Sequence, residues 1–129
     1  MVIVDSNVWI RYLRDPKSAV GQELEKLLDA QQVAMVGVVL TEVLQGTRSE
    51  EDFEGLRTRL EAIPYLETGK ETWVRTGRLA RRLREQGKLT PITDLAVAAA
   101  ALEGDHAVYT LDEHFQRVPG LKLYETSAA

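Results

Sequence analysis

Four acidic residues spread along the chain, Asp5, Glu42, Asp94 and Asp112, are the side chains best suited to carry chemistry. The alternatives are few. Cysteine is absent, no Gly-x-Ser-x-Gly turn presents a serine nucleophile, and no Gly-x-x-x-x-Gly-Lys loop is available to cradle phosphates. Carboxylates gathered at one place repel, and one or more takes up a proton unless a cation neutralises them. Their hard oxygens select Mg2+ or Mn2+ over zinc. Such an ion lowers the pKa of a bound water, orients it for in-line attack and stabilises charge on a phosphate oxygen.

The elements that must bring these acids together can be read from hydrophobic periodicity. Residues 1–4 form an apolar, β-branched run expected to be a buried parallel strand, with Asp5 directly after it. A short helix is expected over 8–13, closed by Asp15-Pro16. Ser18 can cap a second helix with apolar positions at Val20, Leu24, Leu27 and Leu28. Residues 33–38 read as the second strand, and 39–44 as a helix carrying Glu42 and ending near Gly46. Phe53, Leu56, Leu60 and Ile63 mark one face of a helix stopped by Pro64, with a brief extended segment at 64–66. A long helix over 70–86 ends at Gly87, and an alanine-rich one over 93–103 carries Asp94 in its first turn. A strand at 107–110, a short helix at 112–116 and a last strand at 121–124 complete the chain. Strands alternating with helices indicate an α/β fold: a central, mostly parallel sheet of four to five strands between two helical layers. Ligands of such sheets gather beyond the carboxyl ends of the strands, which is where the four acids fall.

Each acid alone has an ordinary explanation, because helix N-termini favour carboxylates. Thr93 or Thr90 is a natural cap beside Asp94. Asp5 is the exception, since an acid after an opening strand has no obvious helix to cap. Taken jointly the set reads as a metal site. Asp112 stands two residues past its strand and beside Glu113, and is the least direct ligand of the four.

The motifs around these acids resemble those of PIN-domain nucleases: Val4-Asp5-Ser6-Asn7-Val8-Trp9, Thr41-Glu42-Val43-Leu44-Gln45-Gly46, the run from Asp94 to Leu102, and Tyr109-Thr110-Leu111-Asp112-Glu113-His114-Phe115. The order and spacing agree across essentially the whole chain, so that residues 1–129 are expected to be one PIN-like domain. The length resembles that of the VapC-type toxins of toxin–antitoxin pairs. The resemblance implies a divalent-metal endoribonuclease that cuts structured RNA such as tRNA or rRNA. It further implies a homodimer neutralised by a cognate VapB-type antitoxin. By position, Asp5, Glu42, Asp94 and Asp112 carry over as catalytic and metal-binding acids, with Mg2+, or Mn2+, as cofactor. Ser6 and Thr110 carry over as hydroxyls that orient carboxylates or water, and Asn7 either joins them or caps the first helix.

Other residues are weighed from the sequence itself. On the 70–86 helix, Trp73, Thr76, Leu79, Ala80 and Leu83 form the expected buried side. Arg75, Arg78 and Arg82 fall opposite, either as a solvated face or as a stripe for RNA phosphates or an acidic antitoxin segment. Trp9, Tyr12 and Trp73 are expected in the core or at a dimer contact. His106 and His114 do not form a convincing acid–base pair, and His114 beside Phe115 reads as a packing or orienting residue. The formal charge of −4 argues against binding nucleic acid through bulk charge alone, although a carboxylate site contributes to that figure itself. With no cysteine, an acid at position 5 and no apolar run long enough for a bilayer, a reducing, cytoplasmic setting without membrane contact is expected. Two rival readings share the acids: a PIN-type nuclease acting in RNA processing or on structured DNA, and a magnesium-binding signalling receiver domain. The receiver needs an essential lysine, for which Lys88 and Lys122 are poorly placed.

Overall fold

A computed structural model describes residues 1–126. The elements run β1 (Val2–Val4), α1 (Ser6–Arg14), α2 (Ala19–Asp29), β2 (Val33–Ala34), α3 (Gly37–Leu44), α4 (Glu50–Glu61), α5 (Lys70–Glu85), α6 (Ile92–Gly104), β3 (Ala107–Tyr109), a 3-10 helix (Glu113–Arg117) and β4 (Lys122–Leu123). The strands form one parallel sheet in the order β2-β1-β3-β4. Ile3, Val4, Ala34 and Val108 are fully buried, as expected of strands covered on both faces. The expected α/β architecture with a parallel sheet is what is found.

The second strand is shorter than its β-branched sequence suggested. It ends at Ala34, and α3 begins at Gly37 instead of at Val39. A Cβ at position 37 would lie 2.8 Å from the Tyr65 hydroxyl, so a side chain there would require the Tyr65 ring to shift. Tyr65 belongs to the expected segment at 64–66, which contributes a single parallel bridge to Met35. Met35 N–H donates to Pro64 O and Leu66 N–H to Met35 O, both at 2.8 Å.

The α5–α6 hairpin carries Asp94 and fixes its place. Every residue of α6 from Leu95 to Ala101 is buried. A helix apolar all round must be covered all round, and α6 touches α5, α3 and β3. Its alanines let those neighbours approach closely. The buried stripe of α5 is Thr72, Thr76, Leu79 and Leu83. Trp73, expected inside, is 48% exposed. Thr76, Leu79 and Leu83 are buried as expected, but Thr72 takes the place of Trp73 at the start of the stripe: its hydroxyl donates to Glu103 Oε2 at 2.9 Å, a partner on the next helix that periodicity cannot reveal. Trp9 by contrast is buried, edge-on to Tyr12 with ring centroids 6.2 Å apart.

Ala99 is fully buried in α6. Ala99→Leu should therefore overpack this helix and lower stability by about 1–3 kcal/mol, read as a shifted urea midpoint at unchanged m-value.

Candidate active site

The chain turns from β1 to β2 on one side of the sheet and from β3 to β4 on the other, so connections diverge between β1 and β3. Such a switch point opens a crevice beyond the strand ends. The register pairs Val4 with Tyr109, and Asp5 N–H continues the ladder by donating to Tyr109 O at 2.9 Å. Asp5 and Thr110 therefore leave the sheet side by side.

Asp5 does have a helix to cap. Helix α1 begins at Ser6, two residues earlier than expected, and Asp5 is its N-cap. Its Oδ1 accepts the Ser6 N–H at 2.9 Å, and its Oδ2 accepts the Thr110 hydroxyl at 2.8 Å. Capping and a role in the crevice are thus not alternatives, since the two oxygens face different partners. Only 3% exposed, the carboxyl has its pKa raised, chiefly by burial. The two hydrogen bonds oppose that rise, and the charges of Glu42 and Asp112 add to it.

Thr110 is the hub of the network. While donating to Asp5, its oxygen accepts from Asp112 N–H at 3.0 Å and from Asn7 Nδ2 at 3.3 Å. Asn7 Oδ1 in turn accepts Leu111 N–H at 3.2 Å. Asn7 therefore clamps the loop after β3 to α1 and does not cap the helix. Ser6 is tied to Asp5 by its backbone N–H, a bond that any residue at this position supplies.

Asp94 lies in the first turn of α6, half-buried. The N-cap is Pro91, and neither Thr90 nor Thr93 supplies a side-chain cap. The Thr90 hydroxyl turns back to Lys88 O at 3.2 Å. Burial and then the charges of Asp5 and Asp112 push the Asp94 carboxyl up to about 6, helped by a side-chain hydrogen bond with Asp112 and by Glu42. Asp112 caps the 3-10 helix, its Oδ1 accepting His114 N–H at 2.9 Å. All four acids thus act electrostatically on the one crevice, Glu42 reaching it from α3.

Asp94, Asp112 and His114 each present a ligand atom within 4.8 Å of the others. Asp112 is consequently more central than its position past β3 suggested. His114, expected as a packing or orienting residue, stands with its Nδ1 3.1 Å from Asp112 Oδ1. His106 lies beyond the opposite end of β3, so the two histidines are no pair. A polar cleft of ≈ 700 Å³ beside the acids is walled by Asn7, Asp112, His114, Lys88 and Arg117. Arg117 Nη1 donates to Leu89 O at 3.0 Å, which fixes the loop before α6. The expected arginine stripe is separate: Arg75, Arg78 and Arg82 line a groove of ≈ 360 Å³ with Leu79, Leu83, Leu102 and Pro119. Arg75 is also paired with Glu103 at 3.8 Å.

The PIN domain family matches residues 2–121. Ribonuclease VapC21 of Mycobacterium tuberculosis is 31% identical over 121 residues, covering 86% of this chain and 88% of that protein. Ribonuclease VapC18 of the same species is 28% identical over 122 residues, covering 92% and 87%. Among solved structures, VapBC2 from Rickettsia felis bound to a DNA fragment from their promoter contains a chain similar in fold, with a TM-score of 0.81 at 21% identity over 96% of this chain and 98% of that one. Mycobacterium tuberculosis VapC20, a sarcin-ricin loop cleaving toxin, gives a TM-score of 0.69 at 14% identity over 97% and 100%.

The crowding of acids has a measurable consequence for stability. Asp94 has a higher pKa folded, about 6, than the ordinary 3.8 that approximates its unfolded value, so the folded state binds more protons between them. Its contribution therefore favours folding in acid and is lost as pH rises through about 6. In chelator, Asp94→Asn should be more stable than the wild type above neutrality, by roughly 1 kcal/mol after solvent screening. That gain should vanish below the unfolded carboxylate range, as followed by urea unfolding against pH.

Proposed function

The chain belongs to the PIN-domain family, and on that premise we propose that it is a divalent-metal endoribonuclease, the toxin of a toxin–antitoxin pair. Its substrate in this reading is a phosphodiester bond of structured RNA, tRNA or rRNA, in the cytoplasm. The observation that carries the reading is the convergence of Asp5, Glu42, Asp94 and Asp112 on one crevice, where burial and then the charges of the other acids raise the Asp94 carboxyl to about 6. The ribonuclease relatives support the activity, and the VapBC neighbours support an antitoxin partner.

The donors suit Mg2+ or Mn2+, because hard carboxylate oxygens favour these ions and a cation offsets the mutual repulsion of the acids. Asp5, Glu42, Asp94 and Asp112 would hold it, and when bound it supplies an activated water and charge stabilisation at phosphate. The chain's own contributions follow from the hydrogen bonds. Thr110 fixes the direction of the Asp5 carboxylate and of the backbone at Asp112 together. Asn7 keeps that loop against α1. Asp94, pushed up only to about 6, is largely ionised at neutral pH and would offer its oxygens as ligands there. Lys88 and Arg117, on the wall of the polar cleft, offset the acids and attract a phosphate backbone.

Two surfaces support the partner assignments. A largely apolar cleft of ≈ 590 Å³ between α1, α2 and α4, lined by Trp9, Tyr12, Leu28, Leu56 and Leu60, suits an apolar antitoxin segment. Tyr65, Trp73 and Val74, each 45–48% exposed, are apolar groups of the kind a homodimer covers. No helix among the described residues is long and apolar enough to cross a membrane.

Purified protein with Mg2+ or Mn2+ should cut structured RNA, and sequencing the new RNA ends should identify the site. Thr110→Val should slow cleavage about 10–100-fold through misdirected carboxylates, and Asp5→Asn should slow it further. No cleavage with either ion, together with growth arrest that persists in Asp5→Asn, overturns the reading. For the arginine stripe, Arg78→Ala should reduce the slope of log RNA affinity against log salt by about 1. An unchanged slope removes the stripe from the RNA path.

A further inference from the structure

His114 is half-buried in the first turn of the 3-10 helix, and its Nδ1 is buried with no hydrogen-bond partner among the described residues. That nitrogen lies 3.1 Å from Asp112 Oδ1 without the geometry of a hydrogen bond. Asp112 Oδ1 already accepts the backbone N–H of the same histidine at 2.9 Å, so the ring stands beside the carboxylate oxygen instead of donating to it. An unpartnered buried nitrogen is costly and needs a cause. Its surroundings suggest one, since Asp94 also brings a ligand atom within 4.8 Å of this pair.

The spacing is that of neighbouring ligands on one ion. In an octahedron with bonds of about 2.1 Å, adjacent ligand atoms stand about 3.0 Å apart, and need no hydrogen-bond alignment with each other. The observed 3.1 Å between Nδ1 and Oδ1 fits that edge. Building on the metal-dependent reading above, we propose that His114 donates an imidazole nitrogen to the active-site cation beside Asp94 and Asp112. The site is then of mixed nitrogen and oxygen character. Mg2+ is served best by oxygen alone, whereas an imidazole donor favours first-row transition ions, so the chain prefers Mn2+ over Mg2+. The rival role, a histidine that only orients Asp112, leaves the nitrogen outside the coordination shell.

Mn2+ bound to the intact protein reports on this directly through electron spin-echo spectroscopy. Wild type should show the modulation of a directly bound nitrogen, and histidine labelled with the heavy nitrogen isotope should change its pattern. His114→Ala should lose the modulation, and His106→Ala should keep it. In Mg2+ competition, His114→Ala should discriminate in favour of Mn2+ about tenfold less than the wild type. Bound Mn2+ without nitrogen modulation in wild type, or modulation that survives in His114→Ala, overturns the histidine assignment while leaving the carboxylate site standing. Failure of wild type to bind Mn2+, or binding indifferent to Asp94→Asn, removes the metal reading and this inference with it. Should His114→Ala fold poorly, the isotope experiment on the wild type decides alone.

Discussion

Negative charge concentrated where β1 and β3 end is the constraint around which the surrounding structure is arranged. Asp5 is almost wholly enclosed, and a carboxylate there persists only because an amide and a hydroxyl are aimed at its two oxygens. Both donors depend on distant parts of the chain. The amide points correctly because α1 starts without a linker, and the hydroxyl because β3 lies next to β1 in the right register. A slip of one residue in that pairing would exchange the faces of Tyr109 and Thr110, putting a phenol toward the acid. The apolar sheet, otherwise an ordinary core, is thus what fixes a charge pattern.

Asp94 reaches the same place by a different route. It rides on α6, whose position follows from being enclosed on all sides: α5 on one flank, α3 and β3 on others. Small side chains bring the α6 axis close to the sheet, and with it the acid in its first turn. The Thr72–Glu103 bond and the Arg117–Leu89 bond fasten the two ends of this hairpin. The first lies away from the acids, whereas Arg117 also walls the polar cleft beside them, and both contacts bear on where Asp94 sits.

Much of this was legible in the sequence wherever a pattern was local. The apolar runs at β1 and β3, the acids directly after them, and Gly87 as the end of α5 all follow from periodicity and turn chemistry. What escaped was decided by partners far along the chain. β2 ended at Ala34 although the apolar run continues past it, and Thr72 displaced Trp73 from the core because Glu103 satisfies its hydroxyl. The role of Asp5 was misjudged for a different reason: the helix was read from its first apolar residue, Val8, whereas α1 begins with the polar pair Ser6-Asn7. His114 was read as a packing or orienting residue, and its nearness to the carboxyls of both Asp94 and Asp112 emerges only when the fold places them around it.

The distribution of strain within the cluster also separates its members. Asp5 is anchored by bonds made to its charged form, so its geometry is set before any cation arrives. Asp94 lacks such anchors: burial first, and then the charges of Asp5 and Asp112, push its carboxyl up to about 6. A cation held by these acids, as proposed above, would offset that repulsion on groups already in place. Asp94 is only partly buried, so a proton taken up there exchanges directly with solvent. A proton on enclosed Asp5 would instead compete with the Ser6 amide and the Thr110 hydroxyl for the same two oxygens. The acid with fixed bonds is thus the more enclosed and the one that takes up a proton the more open, which lets the cluster change its charge without changing its fold.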